Sequence, residues 1–90
     1  MTHCINIEAD FADAVVSGDK NFEIRKNDRG YQKGDLIKFI PLHRNFVKDE
    51  NHPLNDKLYV VTYVLSGHGL APEFVAFGIR EVTSEQDIQE

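Results

Sequence analysis

The run Leu58-Tyr59-Val60-Val61-Thr62-Tyr63-Val64-Leu65 limits what this chain can fold into more than any other segment. It carries no charge and is rich in β-branched and aromatic residues, which fit a pleated strand. A strand so continuously apolar is expected where both of its faces are covered. It falls well short of the roughly 18 apolar residues that a membrane-crossing helix needs. The chain must therefore build a sheet with this strand near its centre, and the rest of the sequence has to supply the neighbours.

Those neighbours are legible as short patterned segments. Cys4, Asn6 and Glu8 alternate with Ile5 and Ile7, which predicts a first strand with one wet face. A helix follows, with Asp10 as its N-cap, Phe11, Ala14 and Val15 as its apolar stripe, and Gly18 as its left-handed C-cap. Asn21 to Arg25 alternates strictly and predicts a second strand. Leu36 to Ile40 is a third, opened by the turn Gly34-Asp35 and ended by Pro41. Phe74 to Arg80 is the last, after a Gly- and Pro-containing turn at 66–72. Residues 41–56 show no period and contain two prolines, so they read as a long connection, a candidate lid pinned by Phe46 and Val47. The reading is an α+β, mainly β domain: a small, partly closed β-barrel of about five strands with one early helix, spanning residues 1–82, followed by a frayed acidic tail at 83–90.

Ninety residues support one core rather than two. Cys4 is the lone cysteine, so no internal disulfide is available. The first twenty residues carry Glu8, Asp10, Asp13 and Asp19 instead of the basic and apolar regions of an export signal. A cytoplasmic protein without a membrane partner is expected. His3, His43, His52 and His68 lie at spacings unlike those of known zinc motifs, so neither a metal nor another cofactor is expected.

Charge is unevenly distributed. The chain carries −5 overall, yet residues 20–48 hold eight bases against three acids, so the remainder is strongly acidic. Such a block can present an anion-binding face on an acidic body, or it can be no more than the solvated surface of strands and loops. Within it, Glu23 and Arg25 sit two apart on a predicted strand and leave the same face roughly 6.6 Å apart. Lys20 precedes that strand, and Asn27, Asp28 and Arg29 follow it. If Phe22 and Ile24 form the core face, Phe22→Ala costs about 3 to 5 kcal/mol. A partly exposed Glu23 pair would then lose no more than about 1 kcal/mol in Glu23→Gln.

Gly18, Lys20, Glu23 and Arg25 form a Gly-x-Lys-x-x-Glu-x-Arg pattern that resembles the signature of the ASCH domain, a member of the PUA-like superfamily. The run from Phe22 to Arg29, with Gly34-Asp35 and Val75 to Ile79, is similar to a bacterial and phage-associated subfamily of unassigned function, the DUF3850 proteins. The long connection at 41–56 is the main departure. The resemblance implies a PUA-like barrel with the signature lining a cleft beside the early helix, and it implies binding of RNA or a nucleotide-like ligand. On that reading Lys20, Arg25 and Arg29 meet phosphate, while Glu23, Asn27 and Asp28 orient bases or support the arginines. Tyr31, Tyr59, Tyr63 and Phe46 are candidate stacking platforms, with Tyr59 and Tyr63 equally readable as core or sheet-face residues.

A second functional class stays open. A superfamily relative deacetylates N4-acetylcytidine with Lys, Thr and Glu, and Lys20 matches its lysine. Glu23 stands where that nucleophilic threonine is expected, so the same nucleophile cannot operate, although a carboxylate beside a lysine can act as a general base for hydrolysis of a modified nucleoside or for RNA cleavage. On the hydrolase reading Lys20 and Glu23 are the catalytic candidates. A protein-interaction adaptor is a third possibility, favoured if the basic face is flat and apolar.

Overall fold

A computed structural model describes residues 1–83. The elements in chain order are β1 (Thr2–Ile7), α1 (Ala9–Ser17), β2 (Phe22–Lys26), β3 (Leu36–Pro41), a 3-10 turn (Pro53–Asp56), β4 (Tyr59–Ser66) and β5 (Phe74–Glu81). The five strands form one curled sheet in the order β1-β3-β4-β5-β2, with β1 parallel to β3 and the other pairs antiparallel. The domain is mainly β, a partly closed barrel with one helix. No helix of the described residues is long and apolar enough to cross a membrane. The tail expected to fray at 83–90 lies outside the described residues from position 84 onward.

β4 is central, as its composition demands, but only Tyr59, Val60 and Val61 are buried in succession. A β-bulge between Val61 and Tyr63 then shifts the register against β5. Beyond it Val64 packs inward while Tyr63 and Leu65 turn outward, so both faces are covered only in the first half of the strand. Gly78 stands opposite this bulge, where an added Cβ would sit 2.4 Å from the Thr62 hydroxyl oxygen. Only glycine therefore fits there without displacing Thr62.

The core is built from alternate residues of the strands: Ile5 and Ile7 of β1, Ile37 and Phe39 of β3, Val75, Phe77 and Ile79 of β5. α1 covers it with Ala12 and Val15. Its N-cap is Glu8 rather than Asp10, without a side-chain cap, and Gly18 closes it in the left-handed conformation at φ 86°. Phe11 is half exposed, so the stripe that faces the core is narrower than the sequence pattern suggests. The connection after β3 is held by Leu54, which is fully buried, and not by Phe46 and Val47, which are exposed. Pro53 starts the 3-10 turn that drives Leu54 inward, and the backbone N–H of Leu54 donates to His52 Nδ1.

β2 reverses the expected sense of its faces. Glu23 is buried, while Phe22 and Ile24 are 46% and 52% exposed. The cause is register. β5 commits Val75, Phe77 and Ile79 to the core, and the antiparallel pairing sets Glu23 opposite Phe77 and Arg25 opposite Val75. Directly paired residues share a face, so the polar set of β2 is carried inward and its apolar set outward.

Candidate functional site

β1 and β2 are the two ends of the sheet order, and the curl of the barrel brings them towards each other. They are joined by a side chain: Arg25 Nη2 donates to the Asn6 carbonyl at 2.7 Å. Beside this seam lies a cleft of about 640 Å³. The end of β1 supplies Asn6 and Glu8, α1 supplies Phe11 and Ala14, the connection supplies Asp19 and Lys20, and β2 supplies Phe22 to Arg25. Its volume falls within the usual range for small-molecule sites.

Glu23 organises the polar wall. Its Oε1 accepts from Arg25 Nε at 2.9 Å, and Arg25 Nη2 stands 2.8 Å from the same oxygen. Its Oε2 is ion-paired with the Lys20 ammonium. Lys20 Nζ also donates to the Phe22 carbonyl at 2.8 Å and lies over the rings of Phe11 and Phe22 at 5.4 and 5.3 Å. One buried carboxylate thus fixes two cations from opposite sides. This geometry follows from the short link after Gly18, which ends the helix and returns the chain to β2 with Lys20 three residues before Glu23.

Burial, then repulsion from Arg25, lowers Lys20 to a pKa of about 8. A pKa of about 8 leaves the ammonium protonated at neutral pH. Burial also lowers Arg25 from its ordinary value, with Arg29 adding repulsion while Tyr31 and Glu8 oppose the shift. A guanidinium remains a cation under any such shift. The cleft carries Lys20 and Arg25 against Glu8, Asp19 and Glu23, one acid in excess, so it is a mixed and slightly acidic wall rather than a positive funnel.

The structure therefore gathers Lys20, Glu23 and Arg25 and leaves Asn27, Asp28 and Arg29 outside the cleft lining. Asn27 Oδ1 accepts the Tyr31 backbone N–H at 3.0 Å and shapes the loop after β2. Asp28 and Arg29 are exposed on that loop. Tyr31 is no stacking platform: it is 5% exposed, packed 4.7 Å from Phe77 and 4.8 Å from His3, with its hydroxyl pKa raised by burial. Tyr59 is likewise core, 5.4 Å from Phe39, its pKa pushed up by burial to about 12. Tyr63 and Phe46 are exposed. The histidines pair separately with carboxylates, His3 with Asp35, His43 with Asp49 and His52 with Asp13.

A family model described as a domain of unknown function, DUF3850, matches residues 2–79. The chain belongs to the DUF3850 family. No curated protein matches it. The matched span covers the cleft completely, so the Glu23-centred arrangement belongs to the DUF3850 domain as it occurs here. Sequence reasoning missed Asn6, Glu8, Phe11, Ala14 and Asp19 as lining residues. The available signal was helical spacing: Phe11 and Ala14 lie three apart on one face of α1, while Ala12 and Val15 lie three apart on the face that meets the core.

Proposed function

We propose that this DUF3850 domain is a cytoplasmic binding module of the ASCH type within the PUA-like superfamily, taking RNA or a nucleotide-like ligand in the Gly-x-Lys-x-x-Glu-x-Arg cleft. The observation that carries the reading is the meeting of two unlike surfaces in one cleft: the fixed Lys20-Glu23-Arg25 set, and beside it the rings of Phe11 and Phe22, over which the Lys20 ammonium lies. A flat ring with a hydrogen-bonding edge matches both surfaces. Because Glu23 engages both cations, its role is to position them, and ligand acceptor atoms meet the remaining N–H groups of Lys20 and Arg25. With three acids against two bases, the lining disfavours a long run of phosphates, and a single nucleotide or base fits it better. The exposed lone thiol of Cys4 accords with a reducing compartment.

Titration of nucleoside monophosphates and short RNA, followed by amide chemical-shift changes, tests this. Shifts concentrated at Lys20, Phe22 and Arg25, abolished by Lys20→Met, are expected. An unchanged spectrum at low salt would sink the reading. Hydrolysis is a second reading, favoured by the lowered pKa of Lys20 beside a carboxylate. Release of cytidine from N4-acetylcytidine, lost in Lys20→Met, would promote it to first.

A further inference from the structure

The β-bulge in β4 does more than accommodate Gly78. Without it, Tyr63 would keep the inward sense of Tyr59 and Val61; with it, Tyr63 pairs with Gly78 and faces outward, and Leu65 pairs with Ala76 in the same sense. On the other side of β5, Phe22 also pairs with Gly78 and Ile24 with Ala76. Two cross-strand rows result, each with a small residue of β5 at its middle and large apolar side chains at its ends. Tyr63 is 66% exposed, and Phe74 continues the face beside Lys26. Bulges recur where a strand re-aims a side chain, and an exposed apolar patch of this breadth on a small domain marks a contact surface.

Charge selects the occupant. None of the residues that β2, β5 and the bulged half of β4 turn outward here is acidic, and they include the bases Lys26 and Arg80, on a chain of net charge −5. Phe22 belongs to this face and to the cleft, so the two surfaces are continuous. A second copy of the same face would bring like charges together, whereas a polyanion with flat apolar rings matches rings, shallow floor and rim. Tyr63 and Phe22 stand about 10 Å apart across β5, and the rows are about 6.8 Å apart along the strands. That row spacing is twice the roughly 3.4 Å rise per nucleotide of a stacked strand, so each row has room for one unstacked base.

We infer that the outer face of β4, β5 and β2 is a second contact surface for single-stranded nucleic acid, receiving the bases that flank the nucleotide held in the cleft. The inference rests on the cleft reading only for the class of ligand. Fluorescence anisotropy with a labelled adenosine octaribonucleotide, alongside titration with adenosine monophosphate, tests it at low salt. The octamer binds at least about tenfold more tightly than the mononucleotide. Tyr63→Ala and Phe74→Ala each weaken the octamer by about tenfold, the usual scale for loss of one aromatic–base stack. They leave the mononucleotide unaffected, and Lys20→Met weakens both ligands.

If only the mononucleotide binds, or the octamer is indifferent to Tyr63→Ala, the outer-face inference is overturned and the cleft reading stands. Tyr63-dependent octamer binding with no mononucleotide binding and no effect of Lys20→Met keeps nucleic acid on the outer face, removes the cleft reading, and overturns the part of the inference that links the two surfaces. Failure of both ligands removes both. Sedimentation of the free protein closes the remaining route: a dimer that Tyr63→Ala dissociates gives this face to a second copy and overturns the inference.

Discussion

Two polar side chains are buried in this domain among the described residues, His3 at 4% exposure and Glu23 at 3%, and they lie in strands at opposite ends of the sheet order. His3 is enclosed. Its ring packs at a tilt against Tyr31, and its Nε2 lies 2.8 Å from Asp35 Oδ2, which also accepts the Gln32 backbone N–H. Everything it touches is local, and the result is a tied corner where β1 meets the turn into β3. Glu23 is buried to the same degree but stands on the wall of an open cleft, and its partners are two long cations reaching it from different directions. The first arrangement closes a fold; the second holds charge in place at a surface where something else can meet it. Burial alone does not separate structural from functional polar groups. What surrounds their partners does.

The sharpest way to break this comparison is Glu23→Gln. It leaves Lys20 and Arg25 without their common anion, and removing one member of a buried pair is costly. Because both cations reach partly to solvent, the expected loss is about 3 kcal/mol, read from urea melts. A loss below about 1 kcal/mol would show that the carboxylate is not the anchor of the wall. Next, His3→Ala removes a buried ring and one acceptor interaction of Asp35. A cost of about 2 kcal/mol is expected, with affinity for any cleft ligand unchanged. Altered ligand affinity in His3→Ala would erase the distinction between the two sites.

Phe22→Ala sharpens the contrast from the other side. Since Phe22 is 46% exposed, the expected stability cost is about 1 kcal/mol, while ligand binding falls. This inverts the order of Phe22→Ala and Glu23→Gln that the alternating sequence suggests. The effects of pH act by linkage rather than by loss of a contact. Lys20 titrates near 8 in the folded chain against an ordinary 10.5, so the unfolded chain binds the extra proton between these values and folding gains as pH rises through that window. The stability of the wild type relative to Lys20→Met should therefore improve from about pH 8 to 10.5, while anion affinity in the cleft declines over the same range. At the other corner, burial alone would raise Asp35. The hydrogen bonds from His3 and the Gln32 N–H, with the N-terminal ammonium, outweigh it and hold the carboxyl below its ordinary 3.8. Its contribution is present above that value and is lost as pH falls through the lowered one, so Asp35→Asn should flatten the acid limb of the stability profile.

Much of this was legible before any coordinates. The central place of β4, the Gly18 cap and the succession of strands along the chain all follow from local composition, because turn chemistry and β-branched runs act over a few residues. The convergence of Lys20, Glu23 and Arg25 was legible as well, since a strand has period two and a three-residue link is short. The inward sense of β2 was not. Alternation shows which side chains share a face, and only the partner strand shows which face meets the core. Here Phe77 and Val75 decide it, from the far end of the sequence. The outward turn of Tyr63 was hidden for a related reason: a bulge of one residue leaves almost no mark in composition. Leu54 looked like loop because its burial depends on a 3-10 turn that no periodicity announces.

The seam between β1 and β2 has a mechanical consequence. Elsewhere in the sheet neighbouring strands are held by ladders of backbone hydrogen bonds, and parting them means breaking several at once. Across the seam the tether is a guanidinium on a flexible stem, gripping the Asn6 carbonyl. The girth of the barrel is thus set by a side chain, which works like a clasp on an otherwise welded ring. Releasing that one contact would leave every backbone ladder of the sheet intact, since β1 and β2 are not paired with each other.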